Sequence, residues 1–297
     1  MQIEIKTPKN FNFRRTVLSH GWCVLPPFEF DKKNWTLVRV LGTDKPVTAK
    51  ILAHHDDIRV DLSRRVGPRA MKRIERDIRH MFRLDDDFSD FYHVVNSNDE
   101  FRWIAQEGAG RLLRSPTVFE DLVKMICTTN CSWALTEKMV SGLVNELGAR
   151  SDDGRRSFPS AEMLAQQPVQ FFTDKVRAGY RAPYLRELSG RVASGSLNVE
   201  EWLSSELPTK ELIKQMKSVK GVGDYSAENL LKLLGRYDGL ALDSWTRAQF
   251  ARLRNHGRVS ADKNIARFYA RFDSWRGLVL WCDMTRHWLD PENIAKW

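Results

Sequence analysis

The stretch from Leu212 to Phe250, LIKQMKSVKGVGDYSAENLLKLLGRYDGLALDSWTRAQF, organises the rest of the chain. It opens with a short amphipathic helix carrying Leu212, Ile213 and Met216 on its apolar side. Val219-Lys220-Gly221-Val222-Gly223 follows, and a second helix runs through Ala227, Leu230, Leu231 and Leu234 to a stop near Gly235. Glycines in the connection let the backbone turn tightly and bring bare N–H groups up to an anion. The second helix turns the positive end of its dipole toward the same point. A hairpin of this kind, spanning 209–235, suits the gripping of a nucleic-acid backbone without reading its sequence. Beyond it, Asp243 follows the apolar Leu240-Ala241-Leu242 and precedes a basic helix. It reads either as an N-cap or as a carboxylate held at a helix N-terminus, facing the strand that the hairpin holds.

Working outward, the 297 residues are 42% hydrophobic and 29% charged, a globular and not a disordered composition. Lys and Arg number 47 against 38 Asp and Glu, and the net charge of +9 favours polyanionic partners. Basic side chains crowd 64–83 (Arg64, Arg65, Arg69, Lys72, Arg73, Arg76, Arg79, Arg83) and again 244–276, the helix region after Asp243. Either cluster alone reads equally well as a solvated helix face. No apolar run is long enough to cross a bilayer, and the first residues alternate polar and apolar without a signal-peptide core. The expectation is a soluble cytoplasmic protein, nucleoid-associated in a bacterium, acting as a monomer with no membrane partner. Cys23, Cys127, Cys131 and Cys282 lack metal-binding spacing and read as small buried hydrophobes. No nucleotide-binding or metal-hydrolase motif is present.

The fold class read from the chain is α+β: an N-terminal antiparallel β-sheet domain over 1–92, then a mostly helical body over 93–297 in two helical subdomains. Trp35, Leu37 and Val40, then Val47, Ala49 and Ile51, predict strands around a turn, and Ile58, Val60 and Leu62 alternate with Arg59 and Asp61 as a half-buried strand. Gly67-Pro68 opens a basic helix over 68–82. Ser115-Pro116 predicts the start of a helix bearing Phe119, Leu122, Val123 and Ile126, and Ser132 predicts another that stops at Gly148. Further helices are expected near 160–167, 183–194, 199–204, 209–217, 224–235, 244–254, 261–271 and 274–288.

Several blocks in register give the chain a resemblance to the helix-hairpin-helix GPD DNA glycosylases, over roughly 108–285. Gly-Ala-Gly-Arg-Leu-Leu-Arg at 108–114, Phe119-Glu120-Asp121-Leu122, Ile126-Cys127-Thr128-Thr129-Asn130, Phe158-Pro159-Ser160 and Ala178-Gly179-Tyr180-Arg181-Ala182-Pro183-Tyr184 look like the 8-oxoguanine glycosylase branch. The β segment ahead of a helical body is similar to that branch and to bacterial 3-methyladenine DNA glycosylase II.

The resemblance implies a base-excision repair enzyme acting on double-stranded DNA that carries a damaged base. Asp243 would stabilise the oxocarbenium ion of the sugar and activate water. Bifunctional members carry a Schiff-base lysine where this chain has Tyr225, as the alkylpurine glycosylases also have an aromatic there. Lys232, further along the helix, does not match that lysine. A monofunctional enzyme is therefore implied, without β-lyase activity. The target base would be flipped out, with Asn130 filling the gap, Tyr180 wedging beside the orphaned base and Arg181 hydrogen-bonding it. Gly221, Gly223, Lys220 and Arg247 would hold the DNA backbone. In the base pocket, Tyr225, Trp275 and Trp281 would supply aromatic surface, and Gly277 stands where the 8-oxoguanine enzymes carry a base-reading glutamine. That loss favours an alkylated purine, stacked and attracted by cation–π contact. An oxidised or other modified base, or a silent DNA-binding protein, is the alternative. No cofactor is required, and the family pattern adds only a structural monovalent cation at the Gly221 and Gly223 backbone.

Overall fold

Ile58, Val60 and Leu62 are buried while Arg59 and Asp61 stay partly exposed, so the strand they form has one face on the core. In the computed structural model, which describes residues 1–42 and 45–294, that strand belongs to a five-stranded sheet. The strands are β1 (Gln2–Ile5), β2 (Phe28–Asp31), β3 (Thr36–Leu41), β4 (Val47–His54) and β5 (Asp57–Leu62). They lie in the order β1-β5-β4-β3-β2, every pair antiparallel, with Ile51 opposite Val60 and Ile3 opposite Val60 from the other side. β1 and β2 go beyond the sequence reading. Each is an edge strand of only four residues; β1 is the alternating stretch at the start of the chain, while β2 is too short for its alternation to stand out alone.

β3 breaks the expected alternation because both of its faces are covered. Arg39 on β3 is buried, and its guanidinium bonds the Glu120 carboxylate, with Nη1 3.0 Å from Oε1. Lys124 Nζ lies 2.7 Å from the same Oε1. These charges weld the sheet to the helix Val118–Thr128, whose residues from Val118 to Cys127 are all buried. Charges this deep persist only when paired and hydrogen-bonded.

That helix starts later than the sequence suggested. Its N-cap is Thr117, whose hydroxyl accepts the Glu120 N–H at 3.2 Å. Ser115 is engaged instead with Asp121, through its backbone N–H at 2.9 Å, and with Lys124. Near the C-terminus the single helix expected over 274–288 is broken into the 3-10 turn Ala270–Trp275, the helix Arg276–Thr285 and the 3-10 turn Arg286–Leu289. Asp273, at a φ of 48°, kinks the first of these turns just before the expected helix begins. The hairpin forms as read, Thr209–Lys217 then Asp224–Leu234, and Gly235 closes it in a left-handed conformation.

The expected division after residue 92 falls inside the helix Ser89–Asn96. The segment between β1 and β2 also reaches into the helical body. Trp22 Nε1 donates to Asp121 at 2.7 Å, and His20 Nε2 donates to the Leu113 carbonyl at 2.7 Å. One continuous apolar core joins sheet and helices. No helix among the described residues is long and apolar enough to cross a membrane.

Candidate active site

Asp243 caps the helix Ser244–Arg254 through a reciprocal pair of bonds. Its Oδ1 accepts the Thr246 N–H at 2.7 Å, and the Thr246 hydroxyl accepts the Asp243 N–H at 2.8 Å. This capping box fixes the carboxyl group in place. Oδ2 has no hydrogen-bond partner among the described residues. The cap and the carboxylate at a cavity are therefore one arrangement, since Asp243 also lines a recess of about 830 Å³.

The walls of that recess come from segments far apart along the chain. The segment before β2 supplies His20, Gly21 and Trp22; the second hairpin helix supplies Tyr225, Asn229 and Lys232; Trp245 and Trp281 add indole surface. Asn130 and Trp133 also line it. A Cβ on Gly21 would meet the Trp133 ring, an exposed side chain that would have to move aside. Trp281 is anchored by its Nε1, which donates to the Ser19 carbonyl at 2.8 Å, and lies 5.7 Å from the Trp245 ring. Burial and the Asp243 carboxylate push the Tyr225 phenol up to about 12, so it is a hydrogen-bond donor at neutral pH.

Tyr225, Asn229 and Lys232 stand at i, i+4 and i+7, so a single helix face presents them all. Lys232 is only 2% exposed; its Nζ donates to the Leu240 carbonyl at 3.1 Å and sits 5.3 Å from the centroid of the Trp281 ring. The helical period was the available signal for this residue. His20 and Trp22 gave no local signal, because they reach the cavity only through packing.

Two expected pocket residues lie elsewhere. Trp275 stacks on Tyr237 at 5.2 Å and packs against Phe91, away from the recess. Gly277 is buried against the 237–239 loop; its N–H donates to the Tyr237 carbonyl at 2.7 Å, and a Cβ would collide with the Gly239 carbonyl. Close backbone approach, and not a missing base reader, accounts for that glycine.

The surface beside the recess carries the other expected residues. Gly221 has a φ of +89°, and a Cβ there would fall 2.8 Å from the Tyr184 ring. Gly223 precedes the helix with open space around it, so the N–H groups of the first turn are accessible. Tyr180 is 52% exposed and 6.1 Å from Tyr184; Asn130 is exposed at a φ of 45°. Arg181 departs from its expected role. It is 3% exposed, with its guanidinium bound to the Thr129 carbonyl and, at 3.2 Å, to the Thr129 hydroxyl. It holds the loop that carries Asn130 from beneath and has little freedom to meet a base. Lys220 is paired with Glu187 at 2.7 Å and Arg247 with Asp262 at 2.7 Å. Exposed pairs of this kind exchange readily for a phosphate.

At the hairpin, backbone carbonyls are the groups that would face a cation. The Gly223 carbonyl accepts the Ala227 N–H at 2.9 Å, and the Ser218 carbonyl accepts from Arg191 at 3.2 Å. Among the described residues no cluster of His, Cys, Asp and Glu could hold a metal ion.

No protein-family model matches the chain. Over 227 residues it is 24% identical to a probable N-glycosylase/DNA lyase of Methanothermobacter thermautotrophicus, covering 67% of this chain and 70% of the relative. The 3-methyladenine DNA-glycosylase of Archaeoglobus fulgidus superposes with a TM-score of 0.74 at 20% identity, over 95% of this chain and 98% of the other. The 8-oxoguanine glycosylase/lyase of Clostridium acetobutylicum superposes with a TM-score of 0.73 at 20% identity, over 95% of both chains. In complex with double-stranded DNA containing cytosine opposite 8-oxoG, that enzyme superposes at 0.70, with 19% identity over 97% and 98% of the two chains.

Proposed function

From the helix-hairpin-helix DNA glycosylase fold that this chain shares, we propose that it is a base-excision repair glycosylase that hydrolyses the N-glycosidic bond of a damaged base flipped out of double-stranded DNA. The observation that carries this reading is Asp243: a carboxylate with one oxygen held by Thr246 and the other unpartnered, at a cavity large enough for a purine, beside a glycine hairpin.

The hairpin and the helix N-terminus behind Gly223 take the phosphates, and Asn130 and Tyr180 fill and wedge the vacated stack. The flipped base enters between Trp245, Trp281 and Tyr225. The bond from C1′ to the base nitrogen breaks, its electron pair leaves with the base, and the sugar becomes an oxocarbenium ion. Asp243 stabilises that cation electrostatically. Water then adds its oxygen to C1′ and gives its proton to the Asp243 carboxylate, which returns it to solvent, and the departing base nitrogen takes up a proton from solvent, leaving an abasic site. Tyr225 offers no amine, so the reaction ends at hydrolysis. It asks for no cofactor, and no step depends on a cation at the hairpin.

Methylated, oxidised and deaminated duplexes incubated with the protein, followed by alkaline cleavage of abasic sites, test the proposal. Release of at least one damaged base is expected. Tight binding with no release from any lesion would favour the silent DNA-binding alternative.

A further inference from the structure

We propose that Lys232 is the base-reading group of this cavity, a donor that meets the carbonyl edge of an uncharged oxopurine and turns away purines made cationic by alkylation; this rests on the glycosylase reading above. An ammonium group has three N–H donors. Among the described residues Lys232 Nζ makes a single hydrogen bond, to the Leu240 carbonyl. The group is almost fully buried and lines the recess that holds Asp243. Buried donors without acceptors are costly, so a base that brings an oxygen to this point recovers what the empty cavity lacks.

The neighbouring charges leave this role open. Glu228, one turn earlier, is turned to the Ala241 N–H at 2.5 Å and lines a different recess, with Arg247 and Arg276. Asp243 is fixed at Oδ1 by Thr246. His20, in the same wall, has burial holding it down at about 4 and donates Nε2 to Leu113. It is therefore a neutral ring whose Nδ1 is an acceptor. A donor and an acceptor lining one cavity are the kinds of partner that the C=O and N–H of an oxopurine call for. The cation–π attraction expected of an alkylated base also meets an obstacle, because Trp281 already has the Lys232 ammonium 5.3 Å from its centroid. A second cation would share a low-dielectric space with the first.

The test uses duplexes carrying 8-oxoguanine, hypoxanthine or 7-methylguanine in single-turnover excision. 7-Methylguanine keeps the C6 carbonyl and N1–H edge but is positively charged; because that charge also makes it a better leaving group, each rate is read relative to the same duplex's uncatalysed release. Wild type is expected to favour the oxopurines. Lys232→Met is expected to lose about tenfold or more on oxopurines and to gain on 7-methylguanine. Lys232→Gln, a neutral donor, should keep more oxopurine excision than the methionine variant while losing the discrimination. Melting curves and binding to an abasic-analogue duplex verify that both variants fold. A wild type that prefers 7-methylguanine, or variants with an unchanged ratio, would overturn the inference and leave the glycosylase reading standing. A borohydride-trapped adduct that disappears in Lys232→Met would also overturn it, making the lysine a nucleophile. A wild type inert on every lesion overturns the glycosylase reading and this one together.

Discussion

The Lys232 ammonium lies 5.3 Å from the centroid of the Trp281 indole, inside the recess that also contains Asp243. The two residues come from the hairpin and from the helix Arg276–Thr285, and their contact joins the hairpin to the aromatic wall of the recess. The recess thus holds a carboxylate and, against its aromatic wall, a cation.

Asp243→Asn should fold, because asparagine is as good an N-cap as aspartate. It should bind DNA as wild type does and lose base release by about a hundredfold or more, the cost of removing a preorganised charge from a transition state. Single-turnover excision set against gel-shift affinity separates the two effects. Near-normal excision would remove Asp243 from the mechanism.

Borohydride should trap no covalent DNA adduct with wild type, since Tyr225 occupies the position of the Schiff-base lysine. Tyr225→Lys puts an amine there, within the field of Asp243, and should yield a trapped adduct together with strand cleavage. An adduct already formed by wild type would show that the chain is bifunctional.

Excision of an oxopurine should weaken as pH rises through about 8, where burial places Lys232, with the Glu228 and Asp243 carboxylates drawing it upward and the neutral His20 beside it. Below that pH the lysine gives a charge-assisted bond, above it a neutral and weaker one. Its folded value lies below the ordinary 10.5, so the unfolded chain binds the proton more tightly. Wild-type stability should therefore gain relative to Lys232→Met as pH rises from about 8 to 10.5. Melting temperatures of both proteins across that window check the sign.

Asp121 provides a second pH test. Burial raises it from 3.8 to about 6, against the opposing pull of Ser115, Lys124 and Trp22. A raised carboxyl lends stability below pH 4 that is lost as pH climbs through 6. Asp121→Asn can keep the Trp22 and Ser115 bonds, which both end on Oδ1. The melting temperature of the variant minus that of wild type should grow between pH 4 and 7. A constant difference would mean that Asp121 does not titrate there.

Gly277→Ala should destabilise the fold by about 3 kcal/mol, because the added methyl meets the Gly239 and Tyr237 carbonyls. Denaturant unfolding measures the loss. An unperturbed midpoint would reopen Gly277 as a pocket position.

The hairpin was legible because its signals are local: glycines at a turn and apolar residues at helical spacing on either side. Asp243 was legible for the same reason, as a cap before a helix. The edge strand β2 was hidden, since four residues carry too little pattern, and β1 showed its alternation without any local sign of the strand it pairs with. The roles assigned to Trp275, Gly277 and Arg181 came from a register of similar blocks. The structure turns those side chains into the core, onto a neighbouring loop and under Thr129.

Taken alone, the order of residues determined which segments become helix, turn and strand, and which carboxylate begins the helix after the hairpin. Only the tertiary structure decided what surrounds that carboxylate. His20, Lys232 and Trp281 are far apart along the chain and meet because their elements pack around one recess. Local conformation depends on neighbours in sequence, whereas the charge and polarity of a cavity depend on which distant side chains burial brings together.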